Sequence, residues 1–466
     1  MSLTHKSQSA LEYLMTYGWA ILIIVIVAAV LYSFGIFSPS SSITSSVTGF
    51  SNLGSVIAQV IPNSGLMLSL GDSAGYNINI TNITISLNGK TSTIEPNTLI
   101  SPSFSSKFFI PFSSVSASSS YSFAVTVHYT EPGQVLPGPY ISKGTVYGTA
   151  TSSSGFYQSI TITNSQTTPT PAPFQQMINL SISDGDWYTV TNMIASNYQN
   201  VEFFSSNGTI IPSWLENYSS SQFIYLIKLQ NGIPASSSVT IYMVYLPKSD
   251  NVLNSVNDGE APQIPCGSTP TSSCSNYAEY DDGANVFNFY NNFAGDNLNK
   301  VWITHNVDYH ILNGLNVTET PSNPGWVYAN FKITTNNLIG FYGEFGGYYN
   351  VGTSYQQVFN GIFFQCVSGA CHGQEQGQDG VVTTGTVQST TNSYYFIEVK
   401  NSTSSSYFQN HNYIGLLTIG GLVFPLNLTA FITNGPENTS FYINYIFSST
   451  SLINGVTLPF SFGSVS

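Results

Sequence analysis

"SYSFAVTVHY", residues 120–129, alternates without a break. Tyr121, Phe123, Val125, Val127 and Tyr129 fall on one side, and Ser120, Ser122, Ala124, Thr126 and His128 on the other. Successive side chains of a strand point to opposite faces, so this pattern predicts a half-buried β-strand. Glu131-Pro132-Gly133 ends it. Upstream, "YNINITNITISLNG" (76–89) alternates from Tyr76 to Ile80 and resumes at Ile83 one residue out of phase. A turn or bulge at Thr81–Asn82 absorbs such a slip. Asn88-Gly89 then reads as a hairpin turn. His128 lies on the polar face and reads as a strand-surface histidine, not a ligand.

The composition around this strand is also that of a β protein. Of 466 residues only 7% are charged, and 14% are aromatic. There are nine lysines and no arginine. Disordered chains carry high charge and few aromatics, which is the reverse of this balance. A net charge of −13 without clustered cations excludes nucleic acid as a partner. The want of arginine also removes the usual fork for phosphate or carboxylate, although genome base composition can deplete arginine by itself. The four cysteines form two close pairs, Cys266/Cys274 and Cys366/Cys371. Short, even spacing suits two local disulfides in an oxidising compartment. Zinc is the rival reading, and neither spacing is Cys-x-x-Cys. Nine Asn-x-Ser/Thr sequons, at Asn79, Asn82, Asn179, Asn207, Asn217, Asn316, Asn401, Asn427 and Asn438, permit glycosylation of a surface protein.

The N-terminal stretch is of another kind. Tyr13 to Phe37 is 25 mostly uncharged residues around "WAILIIVIVAAVL". As a helix it is about 37 Å long, enough for a hydrocarbon core of ~30 Å. Aromatics stand at both ends, Lys6 precedes it, and no cation follows until Lys90. That asymmetry predicts a cytoplasmic N-terminus with the rest of the chain outside. "HKSQSALEYLMTYGWAI" (5–21) resembles the class III signal peptide of archaeal type IV pilin-like proteins. The resemblance implies cleavage by a prepilin peptidase between Ser7 and Gln8, with the helix kept on the mature subunit. It places Glu12 at the fifth mature position, where the family keeps a glutamate. That glutamate is thought to pair with the new α-amino group, here that of Gln8, on a neighbouring subunit. An intramembrane carboxylate needs such a partner.

Past a Ser-rich hinge, residues 39–163 resemble the β-sandwich head of archaeal pilins. "NSQTTPTPAPF" (164–174) reads as a semi-rigid extended spacer between domains. Beyond it "QFIYLIKLQNG" and "SVTIYMVYLP" are apolar on both faces, as central strands are. With Asn207-Gly208, Pro212, Trp214 and Glu216 upstream, residues 175–265 resemble a domain of unknown function common in prokaryotic surface proteins. Trp214 and Glu216 invite a sugar-site reading, but a structural tryptophan on a strand edge is preferred. Residues 266–466 resemble a concanavalin-A-like jelly roll. The likeness rests on "NFYNNFAGDNLNKVWITHN" (288–306), with Leu298 and Trp302, and on "WVYANFKIT", "SYYFIEVKN" and "TSFYINYIF". The fold expected is mainly β: an N-terminal transmembrane or filament helix (8–38) after a leader (1–7), then three β-sandwich-like domains, the last a jelly roll.

Catalytic signatures are missing. Laminarinase-type jelly rolls carry Glu-x-Asp-x-x-Glu along one strand, and no such run occurs. "EQGQD" (375–379) reads as a Gly-rich surface loop, and Glu398 as a lone strand residue. His305 and His310 would face opposite ways on one strand, which weakens a metal site. Asp281-Asp282-Gly283 offers oxygens to Ca²⁺ but reads better as a plain turn. The expectation is therefore a cell-surface, pilin-like subunit that displays β modules for adhesion or glycan binding. It has no cofactor, and its partners are prepilin peptidase, membrane, other pilin-like subunits and surface carbohydrate. A non-polymerising membrane-anchored protein and a secreted glycan-active enzyme are the alternatives.

Overall fold

The computed structural model describes residues 45–465, apart from 151–154, 185, 267–273, 296, 320–324, 346–348, 356–357, 368–369, 378–379, 386, 389–392, 420–421, 434–439 and 451–457. The expected leader (1–7) and expected helix (8–38), with Ser7, Gln8 and Glu12, and the sequon at Asn438 lie outside the described residues. Among the described residues no helix is long and apolar enough to cross a membrane. The chain forms two compact units. One takes residues up to Thr93 with Leu99–Ser105 and Ile110–Ser154; the other takes Ile94–Thr98, Ser106–Phe109 and Gly155–Ser466.

In the first unit the alternating strand, Ser120–Thr130, lies between Tyr140–Thr149 and Ile78–Leu87 in a six-stranded sheet. Tyr121, Phe123, Val125, Val127 and Tyr129 are buried, as the alternation requires. The pairing register of Ile78–Leu87 shifts between Ile80 and Asn82, at the slip in its pattern. Asn88 and Gly89 both have positive φ, 52° and 80°, which a two-residue type I′ hairpin needs. Strands Leu53–Ile61 and Gly65–Asp72 pair antiparallel in a second sheet.

The second unit contains two sandwiches. In the first, a five-stranded sheet runs Ile210–Ile211, Val201–Ser205, Ser237–Tyr245, Phe156–Asn164, Phe460–Val465. A four-stranded sheet runs Phe174–Ser181, Gln222–Leu229, Ser213–Tyr218, Asp258–Glu260. Ile160, Ile178, Phe203, Tyr225, Ile241 and Met243 share the core these strands enclose. Both strands read as central are central, each in a different sheet.

Four boundaries change. Phe156–Asn164, assigned to the head by sequence, pairs along its whole length with Ser237–Tyr245 of this middle module. The Pro/Thr stretch after it is not a spacer between domains but the crossover between the module's two sheets. Asn164 Nδ2 engages the carbonyls of Thr168, Ile233 and Pro234, and Thr170 N–H donates to Ile233 O. These bonds hold it on the module. Phe460–Val465, assigned to the jelly roll, also pairs with Phe156–Asn164. Phe460 and Phe462 pack on the middle core, which draws the strand there. Cys266, Cys274 and the turn after Cys274 do not open the jelly roll, as the sequence suggests, but join the two modules. Cys274 is tied by its disulfide to Cys266, at the end of the short 3-10 helix Ile264–Cys266. Ala278 N–H then donates to Pro262 O, and Glu260 N–H to Tyr280 O, which hold the turn on the middle module. Tyr277 OH reaches Asn444 O on the jelly-roll side.

The jelly roll is thereby nested between two strands of the middle module. Its sheet I runs Val307–Ile311, Leu315–Glu319, Ser440–Thr450, Asn337–Phe345, Ser393–Asn401, Ser404–Gln409, Asn412–Thr418. Its sheet II runs Trp302–His305, Gly325–Ile333, Leu426–Thr433, Tyr349–Tyr355, Val358–Val367, Ala370–Gly377, Gly380–Thr383. Each sheet has eight strands when its branch strand is included, and their pairings are antiparallel. Their facing sides close on Trp302, Ile339, Phe341, Phe364, Ile397 and Leu428. The other side of sheet I is apolar too: Leu338, Tyr342, Phe396, Tyr445 and Phe447 pack against Trp214 and Leu226 of the middle module. The outward side of sheet II, by contrast, carries many polar residues.

Candidate functional site

Residues of sheet II that flank core positions must turn outward. Three rungs of paired residues cross that face. The first passes through His305 and Trp326 at one side and Asn350, Gln365 and His372 at the other. The second joins Ile303, Tyr328, Thr429, Gly352, Phe363 and Gln374. The third joins Lys332, Asn427, Ser354, Gly361 and Gln376. Among these residues Lys332 is the only lysine, and none is an aspartate or glutamate; the rest are amides, hydroxyls, imidazoles and aromatic or apolar groups. The centre is buried: Asn350 and Thr429 are 0% exposed and Ser354 is 2%. There Ser354 Oγ and Thr429 Oγ1 hydrogen-bond each other at 2.8 Å, and Lys332 Nζ donates to Asn427 Oδ1.

One flank is open. His305 is exposed and stacks on half-buried Trp326, ring centroids 4.1 Å apart and planes 14° apart. Tyr328 beside them is half-buried, and Ile303 is exposed. A flat aromatic pair beside amides and hydroxyls can take the apolar face of a sugar ring and hydrogen-bond its edge. Alternation of strand residues foretells a polar outward face, but the pairing of His305 with Trp326 depends on a register that the sequence does not show.

The other singled-out residues lie elsewhere. Glu375 is not in a surface loop. It sits in strand Ala370–Gly377, 0% exposed, on the side that carries Cys371 into the core. Burial pushes its pKa up to about 7, and hydrogen bonding from Ser405 offsets only part of that rise. Glu398, on sheet I, flanks core residues Ile397 and Val399 and so faces away from that core; Lys400 Nζ is 3.7 Å from it. The two carboxyls share no face, whereas a retaining glycosidase needs its pair about 5–5.5 Å apart across one bond.

Trp214 is not at a strand edge: its strand lies between Gln222–Leu229 and Asp258–Glu260. It is 0% exposed, and its Nε1 donates to Asp281 Oδ1 at 2.9 Å. Glu216, also 0% exposed, meets His411 Nε2 at 3.0 Å. Both residues fasten the middle module to sheet I. Asp281 also accepts from Tyr290 OH, Asn292 Nδ2 and Gly283 N–H, so its oxygens are taken by the turn. Among the described residues no three His, Cys, Asp or Glu side chains group as a metal site. His305 and His310 fall on separate strands in different sheets, because Asn306 between them takes φ 48° and breaks the extended run. Cys266–Cys274 and Cys366–Cys371 are both disulfides, in the pairing that the spacing suggests. Cys266–Cys274 lies at the joint between modules and takes no part in the face of sheet II. Cys366–Cys371 links directly opposed residues of neighbouring strands in that sheet.

The fold and these sites define the class: a multi-module β protein that contains a two-sheet jelly roll. No family model matches the chain. "Uncharacterized protein 562" of Sulfolobus islandicus rod-shaped virus 1 is 41% identical over 195 residues, 39% of this chain and 31% of the relative. The chain thus spans about a third of that protein's length. Among solved structures, endo-acting O-glycanases of the human gut microbiota align with 36% of the chain at 9% identity and a TM-score of 0.30, over 100% of their own length. β-Agarase A of Zobellia galactanivorans aligns with 34% at 9% identity and 0.28, over 89% of its length. The carbohydrate-binding module CBM66 of Bacillus subtilis aligns with 32% at 7% identity and 0.26, over 96% of its length. The jelly-roll assignment rests on the strand order given above.

Proposed function

We propose that the chain is a surface-displayed glycan-binding protein whose jelly roll holds saccharide on the outward face of sheet II. The observation that carries this reading is the His305–Trp326 stack at the open flank of a nearly uncharged, amide-lined face. The two disulfides support an oxidising, extracytoplasmic location. The resemblance of residues 5–21 to a class III signal peptide supports display as a pilin-like subunit. In that reading prepilin peptidase cuts before Gln8, and Glu12 pairs with the Gln8 α-amino group of a neighbour in a filament. Surface carbohydrate is the target, and hydrolysis is not part of the role.

The test is retention of the full chain on a panel of insoluble polysaccharides. Binding to at least one is expected, and Trp326→Ala should weaken it about tenfold, or ~1.4 kcal/mol. Because the face is nearly uncharged, raising the salt concentration should change affinity little. Failure to bind any member of the panel overturns the reading. Cleavage of a bound polysaccharide would favour the glycan-active enzyme instead. Mass spectrometry of the native N-terminal peptide decides the display mode. A start at Gln8 fits the filament subunit, and an intact leader leaves a simple membrane anchor.

A further inference from the structure

We infer that Asn401 is an acceptor for an N-linked glycan, and that the fold selects it from among the described sequons. Asn401-Ser402-Thr403 occupies the tight turn between strands Ser393–Asn401 and Ser404–Gln409, where Asn401 pairs with Ser404. All three residues are exposed. Asn401 Oδ1 accepts from Thr403 N–H at 2.8 Å and from Thr403 Oγ1–H at 3.0 Å. This Asx-turn fixes the amide by its oxygen and leaves Nδ2 without a partner among the described residues. The hydroxyl residue that defines the sequon is thus the one that orients the acceptor amide.

The other described sequons lack this combination. Asn427 is 7% exposed, and its Oδ1 accepts from Lys332. Asn207 also accepts from its sequon threonine, Thr209 N–H, at 3.2 Å, but its Nδ2 donates to Pro96 O at 3.2 Å. Asn82 is half-buried at the register shift, with Oδ1 bound by Thr84. Asn79, Asn179, Asn217 and Asn316 are half-buried within paired strands. In the transfer, Nδ2 attacks the anomeric carbon of a lipid-pyrophosphate-linked oligosaccharide. The N–C1 bond forms, the C1–O bond breaks, the lipid pyrophosphate leaves, and Nδ2 gives one proton to a base of the transferase.

The inference rests on the surface placement proposed above, so the test is made first outside the cell. The folded full chain in detergent is incubated with a single-subunit oligosaccharyltransferase and its lipid-linked oligosaccharide, beside a free Asn-Ser-Thr peptide and the urea-unfolded chain. Peptide mapping should find glycan on Asn401 of the folded chain and none on Asn427 or Asn207, while the unfolded chain accepts at further sequons. Asn401→Gln and Thr403→Ala should each abolish the folded-chain product. The inference is overturned by an unmodified Asn401 in a reaction that modifies the control peptide, or by preferential transfer to Asn427 or Asn207. If the folded chain accepts glycan in vitro but comes from native cells without it, the surface placement fails and the acceptor geometry stands.

Discussion

Glu375 and Glu260 are carboxyls that burial pushes up to about 7, Glu260 with help from Glu279 and Asp281. Among the described residues neither forms an ion pair. A folded-state pKa above the unfolded value near 4.5 means that folding takes up a proton. The stability so gained is fully present below about 4.5 and is lost as pH rises through about 7. Melting temperature should therefore fall between pH 5 and 8, and Glu375→Gln should flatten that fall; an unchanged slope in a scanning-calorimetry series would reject the assignment. Trp214 carries a different kind of weight, filling the contact between the middle module and sheet I. Trp214→Phe keeps most of that volume but removes a donor from buried Asp281, a cost of about 1–3 kcal/mol. Trp214→Ala also opens a cavity and should cost about 3–5 kcal/mol. Urea denaturation of the two variants should rank them in that order.

Strands were legible where packing is one-sided. Ser120–Thr130 alternates because one face meets a core and the other does not. Ala370–Gly377, "ACHGQEQG", was not legible, because its inward positions are Cys371, Gly373 and Glu375 and carry no apolar pattern. The missing volume comes from across the core: a Cβ on Gly373 would lie 2.4 Å from the Tyr407 ring. The slot that glycine leaves is filled from another strand, and no local periodicity records it. The Cys366–Cys371 bond helps to fix this hairpin's register. By loop-closure entropy so short a ring contributes about 2 kcal/mol. Replacing both cysteines by serine should lower the chemical denaturation midpoint accordingly and weaken saccharide retention, since Gln365 and His372 stand beside the bond on the outward face. Full retention after that replacement would separate the hairpin from the site.

At the scale of the whole molecule, module types were legible and their borders were not. Composition, turn chemistry and strand character mark a β protein with a jelly roll near its end. Which sheet a strand joins is decided by pairings distant in sequence, such as Ile160 with Phe462. The same distance keeps the site hidden, since its rungs cross strands that the chain visits out of order. Deleting residues 460–465 should uncover one side of Phe156–Asn164 and remove Phe460 and Phe462 from the middle core. Hydrogen exchange should then quicken in Phe156–Asn164 and Ser237–Tyr245, while sheet II keeps its protection. Equal loosening of both would show that the modules do not melt separately. The nesting also sets an order of events during synthesis. Phe156–Asn164 leaves the ribosome early, yet one of its two partners is made only after the entire jelly roll. Through that interval its edge stays open to any extended chain nearby. A nascent chain stalled inside the jelly roll is thus the most adhesive form the polypeptide passes through, and translation of residues 460–465 ends that exposure.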